Sequence, residues 1–112
     1  MNNNKSGQIG NLLGMIKRSG RLTTGFSAVV RMVLFSKGDA MVMLADDLSA
    51  KTEKELRFAL QNNVFNVVNL PLNKQEIGQA LGLNKPIGVL GIDDTGFSGS
   101  IQALCRCNEG DS

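Results

Sequence analysis

No histidine, tryptophan or tyrosine occurs in this chain of 112 residues, and cysteine and proline each occur only twice. The missing histidines remove the commonest general base and the commonest metal-ligating side chain, and with them every hydrolytic triad built on imidazole. The two cysteines, Cys105 and Cys107, stand two apart near the C-terminus. Residues at that spacing do not face each other on a helix, and two thiols fall short of the four Cys or His ligands of a structural zinc site. They read as ordinary thiols of a reduced cytosolic protein. Glycine occurs 13 times, yet neither GxGxxG nor GxxxxGK followed by Ser or Thr is present, so nucleotide binding has no positive support. No apolar run approaches the roughly 18 residues of a membrane span, and the opening MNNNKSGQIG lacks an apolar signal core. These absences lead to the expectation of a cytoplasmic protein without membrane contact, metal or cofactor.

What is present describes one domain. Apolar residues make up 42% and charged residues 20% of the chain, the balance of a soluble globular fold. A chain of this length buries roughly two thirds of its unfolded surface in a single core. The expected domain spans residues 8–107, between a polar tail at 1–7 and a frayed tail at 108–112. The net charge of +2 is unevenly spread. Residues 1–40 carry six basic groups, Lys5, Lys17, Arg18, Arg21, Arg31 and Lys37, against the single acid Asp39; the remainder carries six basic groups against nine acidic ones. Such asymmetry fits a basic face that attracts a polyanion.

Apolar periodicity divides the chain into alternating elements. Ile9, Leu12, Leu13 and Ile16 recur at the spacing of one helical stripe, with Lys17 and Arg18 trailing and Gly20 as the stop. After a short extended RLT, the residues Phe26, Val29, Val30, Val33 and Leu34 repeat that period up to Gly38. AMVML (40–44) reads as a strand covered on both faces. A third helix follows, capped by Ser49, with Leu56, Ala59 and Leu60 inward and Glu53 four residues before Arg57. VFNVVNL reads as a strand ended by Pro71, and Asn73 with Glu76 caps a short fourth helix that turns Ile77, Ala80 and Leu81 inward before Gly82. PIGVLGI reads as another buried strand, and DDTGFSGSIQALCRC as a last helix with Phe97, Ile101, Leu104 and Cys105 on its apolar side. Strands alternating with helices of this length predict an α/β fold, a three-layer α/β/α sandwich.

Two pairs of carboxylates, Asp46-Asp47 and Asp93-Asp94, each follow a buried strand, where acid-base or magnesium sites often lie. Neighbouring Asp residues at such positions also serve simply as favourable charges at helix N-termini. The stretch RLTTGFSAVVR, residues 21–31, has basic ends, a central glycine and no acid. If the second helix starts just after Gly25, its first N–H groups lack intrahelical partners and suit a phosphate oxygen. Ser27 and Arg31, four apart, then share the edge opposite the valines, with Thr24 and Ala28 nearby, and the small residues permit close approach of a backbone.

The order of motifs resembles the kink-turn RNA-binding ribosomal-protein family of the archaeal L-seven-Ae type, and especially its small bacterial YlxQ-like branch. The resemblance runs from about Ile9 to Leu104 and rests on RSGRLTTGFSAVV, VMLADDLS, QEIGQALGLNKPIGVLGI and DDTGFS, of which Ile-Gly-Gln-Ala-Leu-Gly (77–82) is the most specific. It implies RNA binding by a domain with a mixed four-stranded sheet between helical layers. The expectation is a non-enzymatic, ribosome-associated protein that binds structured RNA rather than DNA, with a monomer favoured and the oligomeric state left open. In that family a Gly-x-Asn-Glu-x-x-Lys run opens the second helix and reads sheared G·A pairs. Here Gly25 matches and Arg31 keeps the charge of the lysine, but Ser27 stands for the asparagine and Ala28 for the glutamate. The resemblance also implies a second contact through Leu83, Asn84, Lys85, Pro86 and Ile87, and places Asp46 and Asp47 next to the RNA groove. Lys17, Arg18, Arg21 and Lys37 are expected to add electrostatic support nearby. The departures at Ser27 and Ala28 keep a second reading open, a protein-interaction adaptor on the same fold that has lost specific RNA readout.

Overall fold

The computed structural model describes residues 3–93 together with 96, 99 and 101. Helix α1 (Asn3–Arg18) is followed by β1 (Leu22–Thr24), α2 (Phe26–Leu34), β2 (Met41–Leu44), α3 (Ala50–Ala59), β3 (Asn66–Asn69), α4 (Lys74–Ala80) and β4 (Val89–Ile92). The four strands form one mixed sheet in the order β1-β4-β2-β3. β4 runs antiparallel to both β1 and β2, whereas β2 and β3 are parallel. Consequently β1, β2 and β3 all point the same way. One row across the sheet is Thr24, Leu90, Met43 and Val68; another is Leu22, Ile92, Met41 and Asn66.

β2 shows why the sheet lies between two helical layers. All four of its residues are buried, and alternate ones enter different clusters: Met41 and Met43 join Ile9, Leu13, Ile16, Ile77 and Leu81, while Val42 and Leu44 join Val29, Val33, Leu56 and Leu60. α1 and α4 therefore cover one face and α2 and α3 the other, the expected α/β/α sandwich. The segment read from sequence only as extended RLT is the edge strand β1, held against β4.

Several inward assignments differ. Leu34 is 53% exposed and Ala59 and Ala80 also face outward, because the apolar stripe of each helix is narrower than its count of apolar residues. Ala80 instead lies against α1, where a β-carbon at Gly10 would stand 3.4 Å from its own. β3 is shorter than VFNVVNL, and Val64 stays exposed ahead of it. α1 reaches back to Asn3, into the stretch expected to be a tail, since extending a formed helix by a polar turn costs far less than nucleating one. Of the last helix, Gly96, Gly99 and Ile101 are helical and Ile101 is buried beside α1 and α4; Phe97, Leu104, Cys105 and Cys107 lie outside the described residues.

Candidate functional site

The three parallel strands end at one edge of the sheet, where β4 begins. Four segments meet there: the start of α2 at Gly25, the turn Ala45–Asp47 after β2, the approach to α4, and the loop 82–88 that leads into β4. Backbone hydrogen bonds tie them into a frame. Gly25 N–H donates to the Val89 carbonyl (2.9 Å), Ala45 N–H to Gly88 (3.0 Å), Asp46 N–H to Leu72 (2.8 Å) and Ile87 N–H to Lys74 (3.0 Å). Crevices outside the carboxyl ends of strands are where open α/β sheets commonly bind ligands.

The start of α2 follows from Gly25. Its φ of 98° and ψ of 151° lie in a region open essentially to glycine alone, so the chain can leave β1 and turn directly into the helix. Gly25 offers no side chain as a cap. The first α-helical bond is Val29 N–H to Gly25 carbonyl (3.0 Å), and among the described residues the N–H groups of Phe26, Ser27 and Ala28 have no acceptor. Three donors and the positive end of the helix dipole thus point out of the start of the helix, at half-buried Phe26 and Ala28 and an exposed Ser27. Arg31, also exposed, stands about 9 Å along the axis from Gly25.

The loop before β4 is tied by backbone hydrogen bonds to the helix it follows. Leu83 N–H donates to the Gly78 carbonyl (2.8 Å) and Gly82 N–H to Gln79 (3.0 Å). Gly78 is indispensable to this arrangement, because a β-carbon there would collide with the Lys85 carbonyl. Lys85 and Pro86 are exposed, but Ile87 is 5% exposed and belongs to the core, so it lends the site no apolar surface. On the outer flank of the loop an open pocket of about 480 Å³ is lined by Gln75, Gln79, Leu83, Asn84, Lys85 and Pro86.

Asp46 and Asp47 are both exposed at the same edge. Asp47 Oδ1 accepts the Lys74 N–H (2.9 Å), so this carboxylate completes the N-terminus of α4 rather than that of the helix following it in sequence. Asn73 and Glu76 form the reciprocal capping box of α4, and Ser49 caps α3 by accepting from Thr52 N–H. No three Cys, Asp or Glu residues gather as metal ligands among the described residues. Sequence reasoning missed Lys74, whose N–H and carbonyl hold Asp47 and Ile87 and whose side-chain stem passes over Gly88. Its place directly after the N-cap of a helix that follows a strand end is the signal that could have found it.

Thr24, Gly25, Ser27, Ala28, Arg31, Asp46, Asp47, Lys85 and Pro86 are thus brought to one end of the molecule or, for Arg31, to the helix leading from it. Lys17, Arg18, Arg21 and Lys37 are not. Arg18 ends α1, Arg21 precedes the start of β1, and Lys37 follows the C-terminus of α2, all toward the row of Leu22, Ile92 and Met41. That is the opposite edge of the sheet. The reason is directional: β1 lies between Arg21 and Gly25, and α2 lies between Gly25 and Lys37.

A mixed four-stranded sheet between paired helices, with its strand-end loops knitted around an open helix N-terminus, defines a class of small α/β/α domains with a polar edge at the strand ends. The chain belongs to the same family as a Bacillus halodurans C protein of unknown function, with 31% identity and a TM-score of 0.71 over 88% of this chain and 96% of that one. The fold is also that of a Giardia lamblia 15.5kD RNA-binding protein, with a TM-score of 0.63 and 21% identity over 90% of each chain. No family model and no curated protein matches the chain. No described helix is long and apolar enough to cross a membrane.

Proposed function

We infer that this is a non-enzymatic, cytoplasmic RNA-binding protein, associated with ribosomes, that recognises structured, kink-turn-like RNA through the N-terminus of α2. The observation that carries this reading is the trio of outward N–H groups at Phe26, Ser27 and Ala28, held beside the exposed Lys85 loop by the Gly25–Val89 hydrogen bond. Helix N–H groups, a serine hydroxyl, a guanidinium and an ammonium at one edge suit phosphate oxygens, which position RNA without reading its sequence. The Giardia fold relative, which is an RNA-binding protein, supports the same ligand class.

Base readout is weaker than the family resemblance implies. Each bidentate contact forgone at Ser27 and Ala28 removes about 1–3 kcal/mol of discrimination, while backbone contacts are retained. The test is a binding assay with kink-turn RNA and with ribosomal RNA. Arg31→Ala and Lys85→Glu each weaken binding, and unchanged affinity in both variants contradicts the reading.

Ser27 and Ala28, standing where the family has Asn and Glu, favour a second reading, an interaction adaptor that no longer reads RNA. Pull-downs from lysate with and without ribonuclease separate the two. Partners lost on digestion support RNA binding, and partners that survive support the adaptor.

A further inference from the structure

The solvent-facing stripe of α2 does not end at Arg31. Ser27, Arg31, Leu34 and Phe35 are the exposed residues of this helix and its C-cap, and they share one side of it at helical spacing. Phe35 is 81% exposed in a chain with five phenylalanines and no other aromatic residue. Its backbone N–H still donates to the Arg31 carbonyl (3.2 Å), so the ring stands one helical turn beyond the guanidinium.

The turn that follows is anchored. Ser36 Oγ donates to Asp93 Oδ1 (3.1 Å) at the end of β4 and accepts from Gly38 N–H (3.2 Å). Phe35 and Lys37, both exposed, flank that anchor. Lys17, Arg18 and Arg21 lie toward the same edge of the sheet, though Lys17 and Arg18 end α1 in the layer across the sheet from α2, and the acids Asp39 and Asp93 stand beside Lys37 and Ser36.

An exposed ring set between a guanidinium and an ammonium matches an unpaired nucleotide. Bases stack on aromatic faces and on guanidinium planes, and flanking phosphates pair with cations. We propose that Arg31, Phe35 and Lys37 form a second RNA contact at the C-terminal end of α2, which takes single-stranded nucleotides by stacking on Phe35. This rests on the RNA-binding reading above and extends it. α2 spans about 13.5 Å, so one RNA could meet its mouth with a structured element and its far end with an unpaired flank.

The experiment compares two probes, decauridine and a blunt kink-turn RNA, at low salt. Phe35→Ala lowers affinity for decauridine about five- to a hundredfold, the loss expected for one stacked base, and changes affinity for the kink-turn RNA less than twofold. Phe35→Tyr, which keeps the ring, retains decauridine binding, whereas Phe35→Leu, which keeps only apolar surface, does not. Ser27→Asp, which places a negative charge at the helix mouth, shows the opposite preference. If Phe35→Ala binds decauridine as the wild type does, or if Phe35→Leu restores it, the stacking contact is refuted while the α2 mouth stands. Loss of a protein partner with unchanged decauridine binding also refutes it, in favour of a protein-docking end. Wild-type protein that binds decauridine but no kink-turn RNA would overturn the first reading alone.

Discussion

Gly78 shows how a single residue sets the site. Its missing side chain lets the Lys85 carbonyl rest against α4, and the Leu83 N–H closes onto its own carbonyl. Gly78→Ala forces backbone to move, so we expect a loss of about 2 kcal/mol or more in chemical denaturation and altered amide signals across 83–87. At Gly25 the constraint is conformational. A β-carbon there meets nothing within 4 Å, yet φ is +98°, and Gly25→Ala is expected to cost about 1–3 kcal/mol through strain alone. Asp47→Ala removes the acceptor of the Lys74 N–H and is expected to lower stability by about 1 kcal/mol, read as a shifted denaturation midpoint.

α2 is the element on which the proposed RNA contact depends. Its inner side packs Val29 and Val33 into the core, and its outer side carries Ser27, Arg31, Leu34 and Phe35. The 3.6-residue period makes the inner side legible in the sequence itself, and Gly25 marks the start. Leu34 departs from that pattern because periodicity identifies a stripe but not its width, and an apolar residue one position outside the buried arc looks no different in sequence. Arg31→Ala should weaken kink-turn RNA binding at all sequences alike and flatten the logarithmic salt dependence by about one unit, as the loss of one phosphate contact does. The caps of α3 and α4 are equally legible, because Ser49 and the Asn73–Glu76 box act on their own helices. The role of Asp47 is not, because the helix end it satisfies lies 27 residues away in sequence.

At the scale of the molecule, the layers and the mixed sheet are legible from alternation and resemblance, whereas the allotment of charge to the two ends is not. Six cations within the first 40 residues suggest one basic face. Strand direction divides five of them, leaving Arg31 on the helix that spans the two edges and sending Lys17, Arg18, Arg21 and Lys37 toward the edge opposite Gly25. Sequence proximity carries no information about which end of a strand a residue occupies until pairing is known, and β1, three residues long, is visible in the sequence only as an extended segment. Ile87 drops out of the expected second contact for a related reason, since a residue entering a central strand is claimed by the core.

The central claim is that the edge holding Gly25, Ser27, Lys85 and the unpartnered N–H groups that open α2 grips an RNA backbone. The most direct measurement is the affinity of purified protein for a kink-turn RNA as salt rises from about 50 to 500 mM. The account predicts a linear fall of log affinity with log salt, with a slope steeper than about −2, as several released counterions require. Affinity that is absent at low salt, or present and indifferent to salt, would contradict it.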